Sequence, residues 1–91
     1  MSDDLTSRRR RAAYRASHRG TKEMDVALGR YAAAMLPSMS AATLDVFERL
    51  LELPDPELAE MIWHGERCQD GEIAELVRDL RAFHGLGAAG P

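Results

Sequence analysis

Apolar residues recur at helical spacing along most of this chain, and no segment alternates apolar and polar positions with period two. Met24, Leu28, Tyr31 and Met35 stand at i, i+4, i+7 and i+11, with Ala27 and Ala34 alongside, so a helix is expected over residues 20–36. Pro37 cannot donate to a helix and disfavours helix in the residue before it, which sets the stop. Ser40 then has the character of an N-cap. Met39 before it and Leu44 four residues after it form a hydrophobic staple, and Leu44, Phe47, Leu50 and Leu51 supply a buried face. Pro54 ends that helix. Asp55 and Pro56 read as N-cap and first turn of the next, whose apolar side is Leu58, Met61 and Ile62 and whose stop is Gly65. After the loop 66–71, Ile73, Leu76, Val77, Leu80 and Phe83 lie at i, i+3, i+4, i+7 and i+10, the cleanest stripe in the chain, closed by Gly85.

The ends are less periodic. Residues 8–18 are rich in Arg and Ala and can form a short helix, but Tyr14 is their one large apolar anchor. Residues 1–7 are expected to be a flexible lead-in, and residues 86–91, rich in Gly and Ala with nothing to bury, a flexible tail. The architecture expected is all-α: a single domain over residues 8–85, built as a small bundle of about five short helices.

Composition narrows the function classes. At 91 residues the chain has room for one compact core and no separate cofactor domain. One cysteine, Cys68, permits no internal disulfide and suits a reducing cytoplasm. The longest apolar run, Tyr31 to Leu36, is far below the ~20 residues needed to span a bilayer, so no membrane insertion is expected. The acidic start, with Asp3 and Asp4 and no apolar h-region, argues against a leader. His18, His64 and His84 are dispersed and Cys68 has no partner at ligand spacing, so no metal site is expected. No Ser-His-Asp arrangement, phosphate-cradling Gly loop or dinucleotide fingerprint occurs, and the carboxylates Glu57, Glu60, Glu72 and Glu75 read as solvated helix faces. The chain is not expected to be an enzyme.

The net charge of −3 conceals a split. In residues 1–30 eight basic side chains oppose four acidic ones, whereas in residues 31–91 four oppose eleven. The run Arg8 to Arg11 offers one reading, a basic arm for nucleic acid. Yet no aromatic residues interleave with it and no polar recognition face follows, so a solvated, partly disordered start is its plainer account.

A second feature lies in His18-Arg19-Gly20-Thr21-Lys22-Glu23-Met24-Asp25. Gly20 stands at a helix entrance, where its missing Cβ lets another polypeptide approach the backbone. Arg19 and Glu23 are four apart, so both can project on one helical face beside that bare spot. A self-pairing salt bridge is the ordinary alternative, although Arg before Glu is the weaker order.

These residues carry a resemblance. Arg19-Gly20-Thr21-Lys22-Glu23 matches the RGxxE signature of the SdhE family, the small flavinylation factors of succinate dehydrogenase. Tyr14-Arg15, Met24-Asp25, Leu28-Gly29-Arg30-Tyr31, Phe47-Glu48-Arg49-Leu50-Leu51, Asp55-Pro56-Glu57-Leu58 and the helix Ile73 to Leu80 also fall where that family has like residues, covering about residues 8–85. The resemblance implies a five-helix bundle that binds the flavoprotein subunit of succinate dehydrogenase, with fumarate reductase as a related client, and promotes covalent attachment of FAD to a histidine of that subunit. It implies no stably bound cofactor of its own, action in the bacterial cytoplasm, and a partner-contacting motif at Arg19, Gly20 and Glu23, with His18 and Asp25 adjoining; the basic and acidic poles permit weak self-association, and a monomer is the simpler expectation. One position departs from the pattern: the family commonly has Trp about where Met61 stands, and here Trp63 comes two residues later, about 200° round the helix. Either that helix is rotated or Trp63 is partly exposed.

Overall fold

The structure is a computed structural model that describes residues 3–86. Among them are five α-helices, α1 (Asp3–Ser17), α2 (Lys22–Met35), α3 (Ala41–Leu51), α4 (Asp55–His64) and α5 (Gly71–Phe83), with a single 3₁₀ turn, Leu36–Ser38, after α2, and no strand. The all-α expectation holds, and so do most of its punctuation marks. Pro37 diverts α2 into the 3₁₀ turn. Ser40 caps α3, its hydroxyl accepting from the Thr43 N–H at 3.1 Å, while the staple residues Met39 and Leu44 are both buried. Gly65 and Gly85 end α4 and α5 at φ +69° and +75°, backbone values that L side chains rarely adopt.

α4 starts differently from expectation. Pro54 occupies its cap position with no side-chain cap bond, and Asp55 is its first residue. The physical reason is competition: the Asp55 carboxylate is turned to Arg19, 2.7 Å from its Nη2.

The core is formed where the stripes meet. Tyr31, Phe47, Leu28, Leu44, Leu50, Leu58, Ile62 and Leu80 are essentially sealed from solvent, and at about 25 cal/mol per Å² such apolar burial is the main driving force of the fold. Two stripe members fall outside it. Phe83 is exposed, its ring edge-on to Tyr31 at 5.5 Å, and Ala34 is exposed while Ala32 is buried in its place. The Tyr31 hydroxyl donates to Asp79 Oδ2 at 2.6 Å and ties α2 to α5.

α1 corrects three expectations. It begins at Asp3 and ends at Ser17, so the lead-in expected over 1–7 is helical from Asp3 onward, with Leu5 against the core. Its buried contacts are Ala12 and Ala16, while Tyr14 faces solvent. Small residues allow a close approach: a Cβ at Gly29 of α2 would stand 3.1 Å from Ser17 Cβ. The basic run is not a disordered start. Arg8 binds Glu48 of α3 through Nε (3.2 Å) and Nη2 (2.8 Å), Arg9 donates to the Met39 carbonyl at 2.7 Å, and Arg15 reaches Glu52 at 3.2 Å. The Arg8 bond holds the Glu48 carboxyl below its ordinary pKa. Of the expected tail, Leu86 is described, its N–H bonded to the Arg81 carbonyl at 2.7 Å; residues 87–91 lie outside the described residues.

Candidate functional site

The turn between α1 and α2 is built by its own side chains. Thr21 caps α2 from extended backbone (φ −120°, ψ 145°), and its hydroxyl accepts from the Met24 N–H at 3.4 Å. One turn on, Asp25 Oδ1 accepts from the N–H of Arg19 at 2.5 Å and of Gly20 at 3.2 Å. A carboxylate at this helix N-terminus also meets the positive end of the helix dipole. Gly20 itself has φ +119°, and a Cβ placed there would meet nothing within 4 Å. The bare backbone therefore faces open space, and the glycine is required by conformation, not by crowding.

Arg19 and Glu23 do not share a helical face. Arg19 precedes α2, so i,i+4 geometry does not apply to it, and no bond joins the two side chains among the described residues. Arg19 instead points inward to the α3–α4 corner. Its Nη1 donates to the Leu51 carbonyl (2.6 Å), its Nη2 to the Leu53 carbonyl (2.7 Å), and its Nε to Asp55 Oδ1 (2.9 Å), leaving the side chain 12% exposed. Glu23 is exposed and makes no ion pair or side-chain hydrogen bond among the described residues. His18 is exposed too; its ring stacks on Tyr14 at 3.9 Å, and Nδ1 lies 2.8 Å from the Tyr14 carbonyl, an acceptor that requires the proton to sit on Nδ1. The predicted residues thus divide. Arg19 and Asp25 form the inner frame of the turn; His18, Gly20 and Glu23 make its outer surface.

Beside Glu23 the fold opens a hollow of about 440 Å³ that the sequence did not announce, walled by Val26, Ile62, Trp63 and Leu86 with Lys22 and Glu23 at the rim. It collects three of the five large apolar side chains left exposed among the described residues, Val26, Trp63 and Leu86. α4 is not rotated: Met61 is buried and Trp63 is 38% exposed. The available signal was phase, since Val26 and Trp63 both stand off their helices' buried stripes. Leu86, assigned to a tail with nothing to bury, is held at the hollow by its own N–H bond to Arg81 and by Arg81 Nη2 donating to its carbonyl at 3.2 Å. His84 Nε2 donates to the Ala27 carbonyl at 2.8 Å and fixes the far edge.

Among the described residues no three His, Cys, Asp or Glu side chains converge as a metal ion would require, and no helix is long and apolar enough to cross a membrane. Of the arginine run, Arg8 and Arg9 are committed to α3 and Met39, so half of the charge a nucleic-acid arm would use is already engaged within the fold.

Comparison with known proteins gives a consistent picture. A family profile described as "flavinator of succinate dehydrogenase" matches residues 10–84. The FAD assembly factor SdhE of Acetobacter pasteurianus is 44% identical over 78 residues, 86% of this chain and 72% of that protein. The FAD assembly factor SdhE of Idiomarina loihiensis is 30% identical over 78 residues, 86% of each chain. No solved structure matches. With the helices, the turn and these matches coinciding over the same residues, the chain belongs to the family of succinate dehydrogenase flavinators.

Proposed function

We propose that this chain is a non-enzymatic assembly factor that binds the flavoprotein subunit of succinate dehydrogenase and promotes covalent attachment of FAD to it. The family match over residues 10–84 carries this reading. The geometry of the turn supports it: an exposed glycine backbone with open space above it, flanked by the free carboxylate of Glu23 and the His18 ring. Such a surface is suited to close approach by a second polypeptide. The client supplies the bond-forming groups; the factor contributes by favouring a client conformation in which flavin and acceptor histidine meet. Gly20 and Glu23 are the docking centre, with His18 beside them and Asp25 holding the turn from within. The factor acts as a monomer in the cytoplasm, keeps no FAD of its own, and takes the fumarate reductase flavoprotein as a related client.

The test is in-gel flavin fluorescence of the denatured succinate dehydrogenase flavoprotein, expressed with and without this chain. Covalent flavin rising with the chain present is the expected result. Equal covalent flavin in both samples refutes the proposal.

A further inference from the structure

Arg19, the other charged residue of the motif, is turned away from the surface just proposed. All three guanidinium nitrogens are engaged, with one carboxylate and two carbonyls, and the side chain is nearly covered. Those carbonyls are not arbitrary. Leu51 closes α3 and Leu53 lies just beyond it, so Arg19 satisfies carbonyls at the negative end of a helix that lack partners within it. Asp55 opens α4 on the other side of the same corner. A partner carboxylate seeking Arg19 would have to displace Asp55 and both carbonyls, exchanging charge-assisted bonds already made for new ones.

From this geometry we infer that Arg19 and Asp55 form an internal clamp: Arg19 is a positioning residue that locks the docking turn onto the α3–α4 corner, and Asp55, outside the motif, is a further determinant of client binding. The inference rests on the docking-turn reading above. It accounts for the missing side-chain cap of α4, because the residue best suited to cap that helix is spent on Arg19. It accounts also for an arginine at this position. A lysine ammonium can reach one or two of the three acceptors, whereas the planar fork of donors spans all of them. The clamp holds the turn through the Arg19 side chain, and Asp25 holds it through the backbone N–H groups of Arg19 and Gly20. Between these two anchors Gly20 keeps its φ of +119° and its open face.

The experiment uses the full chain and the purified succinate dehydrogenase flavoprotein. Client affinity is measured by calorimetry for Asp55→Asn, Asp55→Ala, Arg19→Lys, Arg19→Ala and the Arg19→Ala/Asp55→Ala double variant, and the Gly20 amide resonance is followed in the free protein. Asp55→Asn keeps the shape of the side chain and is expected to weaken binding about tenfold or more, with a moved Gly20 amide and an unchanged far-ultraviolet spectrum. Arg19→Lys falls between wild type and Arg19→Ala, and the double variant is little worse than either alanine variant, as expected of two residues acting as a unit. The clamp is overturned if Asp55→Asn leaves affinity and the Gly20 amide unchanged while Arg19→Ala destroys binding, because Arg19 would then be meeting the client itself. Fully additive losses overturn it as well. If Arg19→Ala cannot be purified, the Asp55→Asn comparison decides alone. Full binding by Gly20→Arg and Glu23→Ala has a different meaning: it removes the docking turn, and the clamp's purpose with it.

Discussion

Replacing Gly20 separates two things that a glycine can supply, a conformation and an empty surface. Its φ of +119° lies where L side chains are strained, at a cost on the order of 1–3 kcal/mol. No clash adds to that, since a Cβ would have nothing within 4 Å. Gly20→Ala and Gly20→Arg should therefore destabilise the isolated protein by similar amounts. For a domain of this size that is a melting-temperature fall of roughly 4–8 °C per kcal/mol. Binding should split them. Alanine adds one methyl group to the docking face, whereas arginine places a long cation where the client must come close. Burying that charge without a partner costs about 3–5 kcal/mol, more than a hundredfold in affinity.

Thermal denaturation by circular dichroism and calorimetric titration with the succinate dehydrogenase flavoprotein read the two effects separately. A third variant, D-alanine at position 20 introduced by chemical ligation, should regain the stability that L-alanine loses, because the mirror backbone region is unstrained for it. Equal loss of binding in the alanine and arginine variants would show that the turn's shape, not its open face, is what the client needs. Unfolding of the arginine variant alone would contradict the open space above Gly20.

Further outcomes are expected from other parts of the fold. Acid should destabilise the protein in steps: Glu48 is held below its ordinary 4.5 by the Arg8 hydrogen bond, and Asp70 below 3.8 by the Arg49 bond and then the Ile73 N–H. The unfolded chain binds these protons first, so stability present at neutral pH falls as pH drops through and below those values, and urea midpoints that stay flat from pH 5 to 3 would refute the pairing. Ser40→Ala removes the α3 cap and should cost about 1 kcal/mol, measured as a shift of the urea midpoint without change of slope. Trp63 is the single tryptophan, half out of the hollow beside Glu23. Its emission should move to shorter wavelength on titration with a client stripped of its own tryptophans, and unchanged emission would mean that the hollow stays open in the complex.

How much of this could be read from the residues depends on whether a feature is a property of one helix or of two. Stripes, caps and stops belong to single helices, so Leu44, Phe47, Leu50 and Leu51 on α3, Leu58, Met61 and Ile62 on α4, and Ser40, Gly65 and Gly85 as boundaries were all legible. α1 was harder because its buried residues are alanines. Ala12 and Ala16 carry no large apolar signal, and what fixes the helix is the arginine set bonding across to α3, forty positions away for Arg8 and Glu48. The motif followed the same division. Its exposed backbone could be inferred from Gly20 alone, because that conformation is local. The direction of Arg19 could not, because its acceptors come from a corner more than thirty positions on. Spacing of four suggested a shared face with Glu23, yet that rule holds only inside a helix, and α2 starts after Arg19. Two charged residues of one short motif therefore act in opposite directions. The arginine is drawn in by carbonyls and a carboxylate that its N–H groups can donate to, and the glutamate, with no donor bonded to it among the described residues, stays exposed on the proposed docking face.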